Sequence, residues 1–200
     1  MRQYITLGVL LLCLSACKNS TIDEDIISSG TNTPPQEKQK IENLDKASYA
    51  KLAHIFLDNQ TIASNQKTIL IVFGANACSA CQKLQDSIID TPSLQKKLQE
   101  EVSPYYINIS YTKNHTLEFE LDSESKVLNT SALANLYGVN ATPTLVFLTP
   151  SGKMLFAYPG FLMPKRFERT IDFFNDPNNT SLTQTQIAQK LIMLYEKEQI

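Results

Sequence analysis

Long apolar runs and any marked excess of one charge are missing from this chain, histidine is scarce, and each lack narrows the classes of function. No stretch reaches the roughly 18 consecutive apolar residues of a membrane-spanning helix. The net charge of −2 offers no electrostatic case for a nucleic-acid partner. There are two histidines and four cysteines in 200 residues. Neither His54 nor His115 stands at ligand spacing from a cysteine pair, and two thiolates alone are half of a tetrahedral zinc site. No metal or other cofactor is therefore expected, although the residues alone leave a metal-handling role such as copper delivery open. No internal repeat is evident. What remains, 42% hydrophobic and 19% charged, is one globular domain of real size with appendages.

The amino end is the first appendage. Met1-Arg2-Gln3 is a short positive region, residues 4–14 are apolar, and Leu14-Ser15-Ala16-Cys17 places small residues before a cysteine. This resembles a bacterial lipoprotein signal, with residues 1–16 removed and Cys17 lipidated; an ordinary signal peptide that happens to contain cysteine is the alternative. The resemblance implies a membrane anchor without a spanning helix, facing the periplasm of a bacterial cell envelope. Lys18 follows Cys17 where an aspartate often retains lipoproteins in the inner membrane, so outer-membrane placement is open. Cys13 would be cut away and Cys17 consumed by lipid. Only Cys78 and Cys81 then serve the folded domain, and two cysteines three apart cannot staple distant parts of a fold. Residues 17–44 hold the lipidated cysteine and a polar stretch containing Thr33-Pro34-Pro35, which reads as a flexible tether.

Residues 45–175 carry the pattern of an α/β domain. Tyr49, Leu52, Ala53, Ile55 and Phe56 recur at helical spacing, predicting an amphipathic helix over 45–63 with His54 on its surface. Residues 68–73 are continuously apolar, as in a strand covered on both faces. A helix follows Cys81. Thr91-Pro92 then starts a short helix through Leu94, Leu98 and Val102, which Pro104 closes before a strand at 105–109. Residues 111–126 alternate at Leu117, Phe119 and Leu121, suggesting a strand in a hairpin, with His115 on the loop surface leading into it. Thr130 caps a helix that Gly138 ends. Strands at 144–148 and 153–158, joined by Pro150-Ser151-Gly152, must be antiparallel neighbours. A helix at 164–174 completes the domain. The crossover helix between the first two strands implies parallel pairing, so the expected architecture is a central mixed sheet flanked by helices. Residues 176–200 add a hinge and one more amphipathic helix through Ile187, Leu191, Leu194 and Tyr195, to pack on the domain or meet a partner.

Cys78-Ser79-Ala80-Cys81 sits where the strand at 68–73 gives way to a helix. At a helix amino end the unpaired N–H groups and the dipole favour negative charge, so Cys78 ionises more easily than a free cysteine. Its thiolate can attack a disulfide, and Cys81, one turn further on, can resolve the mixed disulfide. The competing readings are an oxidising or isomerising exchange protein and a non-catalytic binding lipoprotein.

Several motifs besides the cysteines carry a family resemblance. They are Phe73-Gly74-Ala75, Leu133-Ala134, Tyr137-Gly138-Val139, the run from Ala141-Thr142-Pro143 to Phe147, Pro150-Ser151-Gly152 and Tyr158-Pro159-Gly160-Phe161. In this order and spacing the chain resembles the thioredoxin superfamily, and within it the exported, SoxW-like branch of thioredoxin-like proteins. The resemblance implies a thioredoxin-like fold, to which the C-terminal helix read from periodicity is an addition, with a redox-active Cys78–Cys81 disulfide and a cis bond before Pro143 beside it. It further implies that the Thr142 backbone and Pro143 meet a bound substrate chain. Disulfide-bearing exported proteins would be the substrates and a membrane electron carrier of the DsbD type the donor. The chain departs from cytosolic thioredoxins at Ala77, where they have tryptophan, at Ser79-Ala80 in place of Gly-Pro, and at Val72 in place of a buried aspartate. That last change leaves proton transfer to a water, or to a Glu or Lys from elsewhere. Ser79 and Ala80 supply little to hold a thiolate on Cys78, so the reducing direction is expected.

Overall fold

The computed structural model describes residues 33–119 and 125–200. The expected signal, Cys13, the expected lipidation site Cys17, most of the expected tether and Leu121 lie outside them.

The central sheet is built on β2 (Thr68–Gly74), every residue of which is buried. β2 pairs in parallel with β3 (Val102–Asn108) and antiparallel with β6 (Thr144–Leu148), which pairs antiparallel with β7 (Met154–Pro159), giving the order β3-β2-β6-β7. Alternate side chains of a strand point to opposite faces, and here both faces are apolar. Leu70, Val72, Tyr106, Leu145 and Phe147 pack with residues of α2 (Ser79–Ile89), α3 (Pro92–Glu101), α5 (Pro164–Asn175) and α6 (Gln184–Glu198). Ile69, Ile71, Phe73, Tyr105 and Val146 pack on the other side with α4 (Thr130–Leu136) and a second sheet. That sheet has the order β1-β4-β5, from β1 (Thr61–Ala63), β4 (Asn114–Glu118) and β5 (Lys126–Asn129). The expected thioredoxin-like arrangement, a mixed sheet between helices with a helix at the carboxyl end, is present.

Four local readings are corrected. The tether expected up to residue 44 is helical from Pro35: α1 runs Pro35–Ala47, opened by proline at its first positions and Glu37 in its first turn. Its composition hid it, because what holds it is a buried ion pair to a distant segment rather than an apolar face. The helix expected over 45–63 is instead the end of α1, a 3₁₀ turn at Ala50–Leu52, and β1. Tyr49, Leu52, Ile55 and Phe56 are nonetheless buried, and Asp58 turns the chain toward β1 by accepting the Gln60 N–H at 3.0 Å. β3 begins at Val102 and includes Pro104. The proline is tolerated there because β3 is an edge strand, touched on its outer side by the bridge between Leu57 and Tyr105. Finally, Asn129 rather than Thr130 caps α4, its side chain accepting the Ala132 N–H at 2.8 Å.

α6 packs on the domain. Ile187, Leu191 and Tyr195 are buried in the core, Arg166 donates to the Ile200 carbonyl at 2.7 and 2.8 Å, and Arg169 pairs with Glu198. Thr183 and Gln186 close its amino end as a capping box.

Candidate active site

Cys78 is the N-cap of α2, its sulfur 3.1 Å from the Cys81 N–H that points to it. The two cysteines form a disulfide with Cα atoms 5.2 Å apart. They are unequal: Cys81 is 3% exposed, whereas Cys78 is only half-buried. An incoming disulfide therefore meets Cys78 first.

The chain reaches Cys78 through Ala77, which takes a left-handed conformation at φ 53°. Hydrogen bonds hold this loop. The Asn76 N–H donates to Ser110 Oγ, its side-chain amide to Tyr111 Oη, and its side-chain carbonyl accepts from Asn108, each at 2.9 Å. Asn108 is held in turn, its backbone N–H 3.3 Å from the carboxylate of Asp45. Asp45, 1% exposed, also accepts from Lys113 at 3.0 Å and from Asn59 at 2.8 Å. Lys113 further contacts Glu42 and donates to Asn59 Oδ1 at 2.6 Å. Burial pushes the Glu42 carboxyl up, but the bonds and charge of Lys113, with the bonds from Lys46 and Gln60, together hold it below the usual glutamate range. A buried charged cluster on α1 is thus linked through Asn108 to the loop carrying Cys78.

The opposite wall is Thr142-Pro143. The peptide bond between them is cis. The Thr142 hydroxyl and carbonyl oxygen each lie 3.4 Å from the Cys78 sulfur, and the Pro143 carbonyl accepts the Gly160 N–H at 2.6 Å. The hydroxyl and the Cys81 N–H are both donors able to stabilise negative charge on Cys78. Cys78, Cys81, Thr142 and Pro143, separated by some sixty residues of chain, therefore meet in one place.

His115 departs from the expected loop surface. It is fully buried, with Nδ1 2.6 Å from the Asn59 carbonyl and Nε2 3.1 Å from the Thr130 hydroxyl. Donation from Nδ1 to that carbonyl fixes the neutral tautomer. His54 is exposed. No group of three or more His, Cys, Asp or Glu among the described residues can hold a metal ion.

Behind the disulfide lies a cleft of about 420 Å³. Gln85, Tyr106, Asn108 and Ser48 line it with the two cysteines, and among the described residues no Asp, Glu, Lys, Arg or His does. Of the substitutes open for the missing acid, a water or a Glu or Lys from elsewhere, no Glu or Lys among the described residues lines this cleft. Val72 is fully buried and pairs across the sheet with Tyr106. Sequence reasoning passed over Asn76, Gln85, Tyr106, Asn108, Asp45 and Lys113. For Gln85 a signal existed, since it stands four residues after Cys81 on the same helix face. The others become visible only once strand register is known.

A Cys-x-x-Cys pair at a helix amino end, beside a cis-proline loop on a mixed sheet, defines a thiol–disulfide redox protein. Residues 55–175 match the model of the thioredoxin-like domain, and the chain belongs to that family. It is similar to a thioredoxin-fold protein from Helicobacter pylori, at 32% identity over 78% of this chain and 98% of the other, with a TM-score of 0.71. It is also similar to a thioredoxin from Thermus thermophilus, at 17% identity over 64% and 82% of the two chains, with a TM-score of 0.40. No curated protein matches it.

Proposed function

We propose that this protein is an envelope thiol–disulfide oxidoreductase that reduces disulfides of exported proteins. The observation that carries the exchange chemistry is the asymmetry of the pair. Cys78 is reachable and faces two hydrogen-bond donors, while Cys81 is enclosed one turn behind it. The Cys78 thiolate attacks a substrate disulfide, releasing one substrate thiolate and forming a mixed disulfide. Cys81 then attacks Cys78, and the second substrate thiol leaves as the protein disulfide closes. Two electrons pass from the dithiol to the substrate. Thr142 and Pro143 form the wall against which the substrate chain would lie.

The reducing direction is favoured by the sparse set of groups on Ser79-Ala80 that could hold a thiolate on Cys78. It requires a membrane donor of the DsbD type to return electrons to the pair. The lipoprotein-like amino end, with Cys17 as anchor, supports a position on the periplasmic side of a bacterial membrane. Equilibration of the soluble protein, from Ser20 onward, with glutathione buffers tests the direction. A potential on the side of thioredoxin, about −270 mV, is expected, and one near that of DsbA, about −120 mV, overturns the reductase assignment.

A further inference from the structure

Exchange needs a second ionisation. Cys81 must lose its proton to attack Cys78, and at 3% exposure it must do so where water solvates it poorly. Among the described residues, no carboxylate, amine or imidazole lines the cleft that adjoins it. What the cleft does contain is a hydroxyl held in place. Tyr106 lies on β3, paired with Val72 of β2, and its Oη reaches the space over Gly74, where an added Cβ would fall 1.9 Å away. A side chain at position 74 would therefore displace the hydroxyl. Its ring is fixed against Tyr49 and Phe56, with centroids 5.2 and 5.6 Å away. Gln85 stands one helical turn beyond Cys81, and its Nε2 donates to Tyr106 Oη at 3.1 Å and to the Ser48 carbonyl at 3.2 Å. That bond uses the hydroxyl as an acceptor, and no acceptor among the described residues takes the Tyr106 proton.

Tyr106 and Cys81 line the same polar cleft, which has room for water. We propose that Tyr106, positioned by Gln85, donates to a water in this cleft that in turn hydrogen-bonds the Cys81 sulfur as it gains negative charge. Burial holds the phenol above the usual tyrosine range, the Gln85 bond works against this, and the charge of Asp45 adds to it. Tyr106 therefore remains a neutral donor and not a base. During resolution the Cys81 proton goes to solvent and the Cys81 sulfur bonds to Cys78. The bond from Cys78 to substrate breaks, and the departing substrate thiolate takes up a proton. Tyr106 exchanges no electron and is returned unchanged.

The inference rests on the exchange function proposed above, and one experiment separates their failures. Reduced protein is mixed with dithiobis-nitrobenzoate, which releases one coloured thiolate when Cys78 attacks and a second when Cys81 resolves. Wild type should give two phases, and Cys78→Ser should lose the fast first one. If wild type shows no fast phase, or Cys78→Ser keeps it, the exchange function itself fails. Tyr106→Phe keeps the ring and leaves Gln85 its bond to Ser48. It should slow the second phase about tenfold, as loss of a water-bridged hydrogen bond to a charged sulfur implies, and move the pH midpoint of that phase upward, with the first phase close to wild type. Gln85→Leu, which frees the hydroxyl without removing it, should slow the second phase less. Two phases in wild type with an unchanged second rate and pH midpoint in Tyr106→Phe would overturn the role of Tyr106.

Discussion

At the scale of single residues, the site depends on positions whose chemistry is ordinary but whose setting is not. Ala77 holds φ 53° directly before the attacking cysteine, a conformation that costs an L-residue roughly 1–2 kcal/mol. Glycine removes that cost but loses more entropy on folding. Ala77→Gly should therefore raise stability by about 0.5–1 kcal/mol in a urea titration. His115 makes a pH-dependent contribution. Burial holds its imidazole below the usual histidine range, with Lys113 adding to this and the Asn59 carbonyl, Asp45 and Glu42 opposing. A depressed folded value means that the unfolded chain binds more protons in the window between the two values. Stability is thus lost as pH falls below about 6.5, and the loss levels off beneath the folded value. Between about pH 7 and about pH 5.5, wild type should lose more stability than His115→Gln, as read from urea midpoints. Equal losses would remove His115 from the pH response. At this scale the cysteines and Thr142-Pro143 were legible, because their chemistry is written in residue type and spacing. Tyr106 was not, since its role depends on Gly74 being empty and on a register that pairs residues 34 apart in sequence.

At the scale of elements, α1 shows how a polar sequence becomes part of a fold. Its Glu42 and Asp45 are enclosed only because Lys113 lies between them, and Asp45 passes that anchoring to Asn108 beside the active-site loop. Removing one partner of a buried ion pair leaves an uncompensated charge, at a cost of about 3–5 kcal/mol. Lys113→Met should destabilise the protein by that order in denaturant unfolding. It should also increase hydrogen exchange at residues 76–78. An effect below about 1 kcal/mol would mean that the cluster is solvated like a surface pair. Periodicity located α5 and α6 nearly to the residue, since each buries one apolar face of its own. The same rule failed for residues 45–63, where apolar spacing survives in an irregular path closed by Asp58 and the bridge from Leu57 to Tyr105. α1 was illegible because its stabilisation comes from a lysine some seventy residues away.

At the scale of the molecule, one sheet with two apolar faces brings the parts together. β2 delivers the loop to Cys78, β6 starts behind the cis proline, and β3 sends Tyr106 and Asn108 toward the same end of the sheet. The mixed sheet could be anticipated from the crossover helix and the short turn at Pro150-Ser151-Gly152. The second sheet could not, because β1 and β5 have three and four residues and pair through β4. The central claim is that this assembly makes Cys78 the attacking sulfur and Cys81 the resolving one. It is tested most directly by trapping. Reduced Cys81→Ser protein is incubated with a disulfide-linked peptide, and the adducts are mapped by mass spectrometry. One stable mixed disulfide on Cys78 is predicted, while Cys78→Ser should form none at a comparable rate. Preferential attachment to Cys81, or no difference between the two variants, would contradict the account.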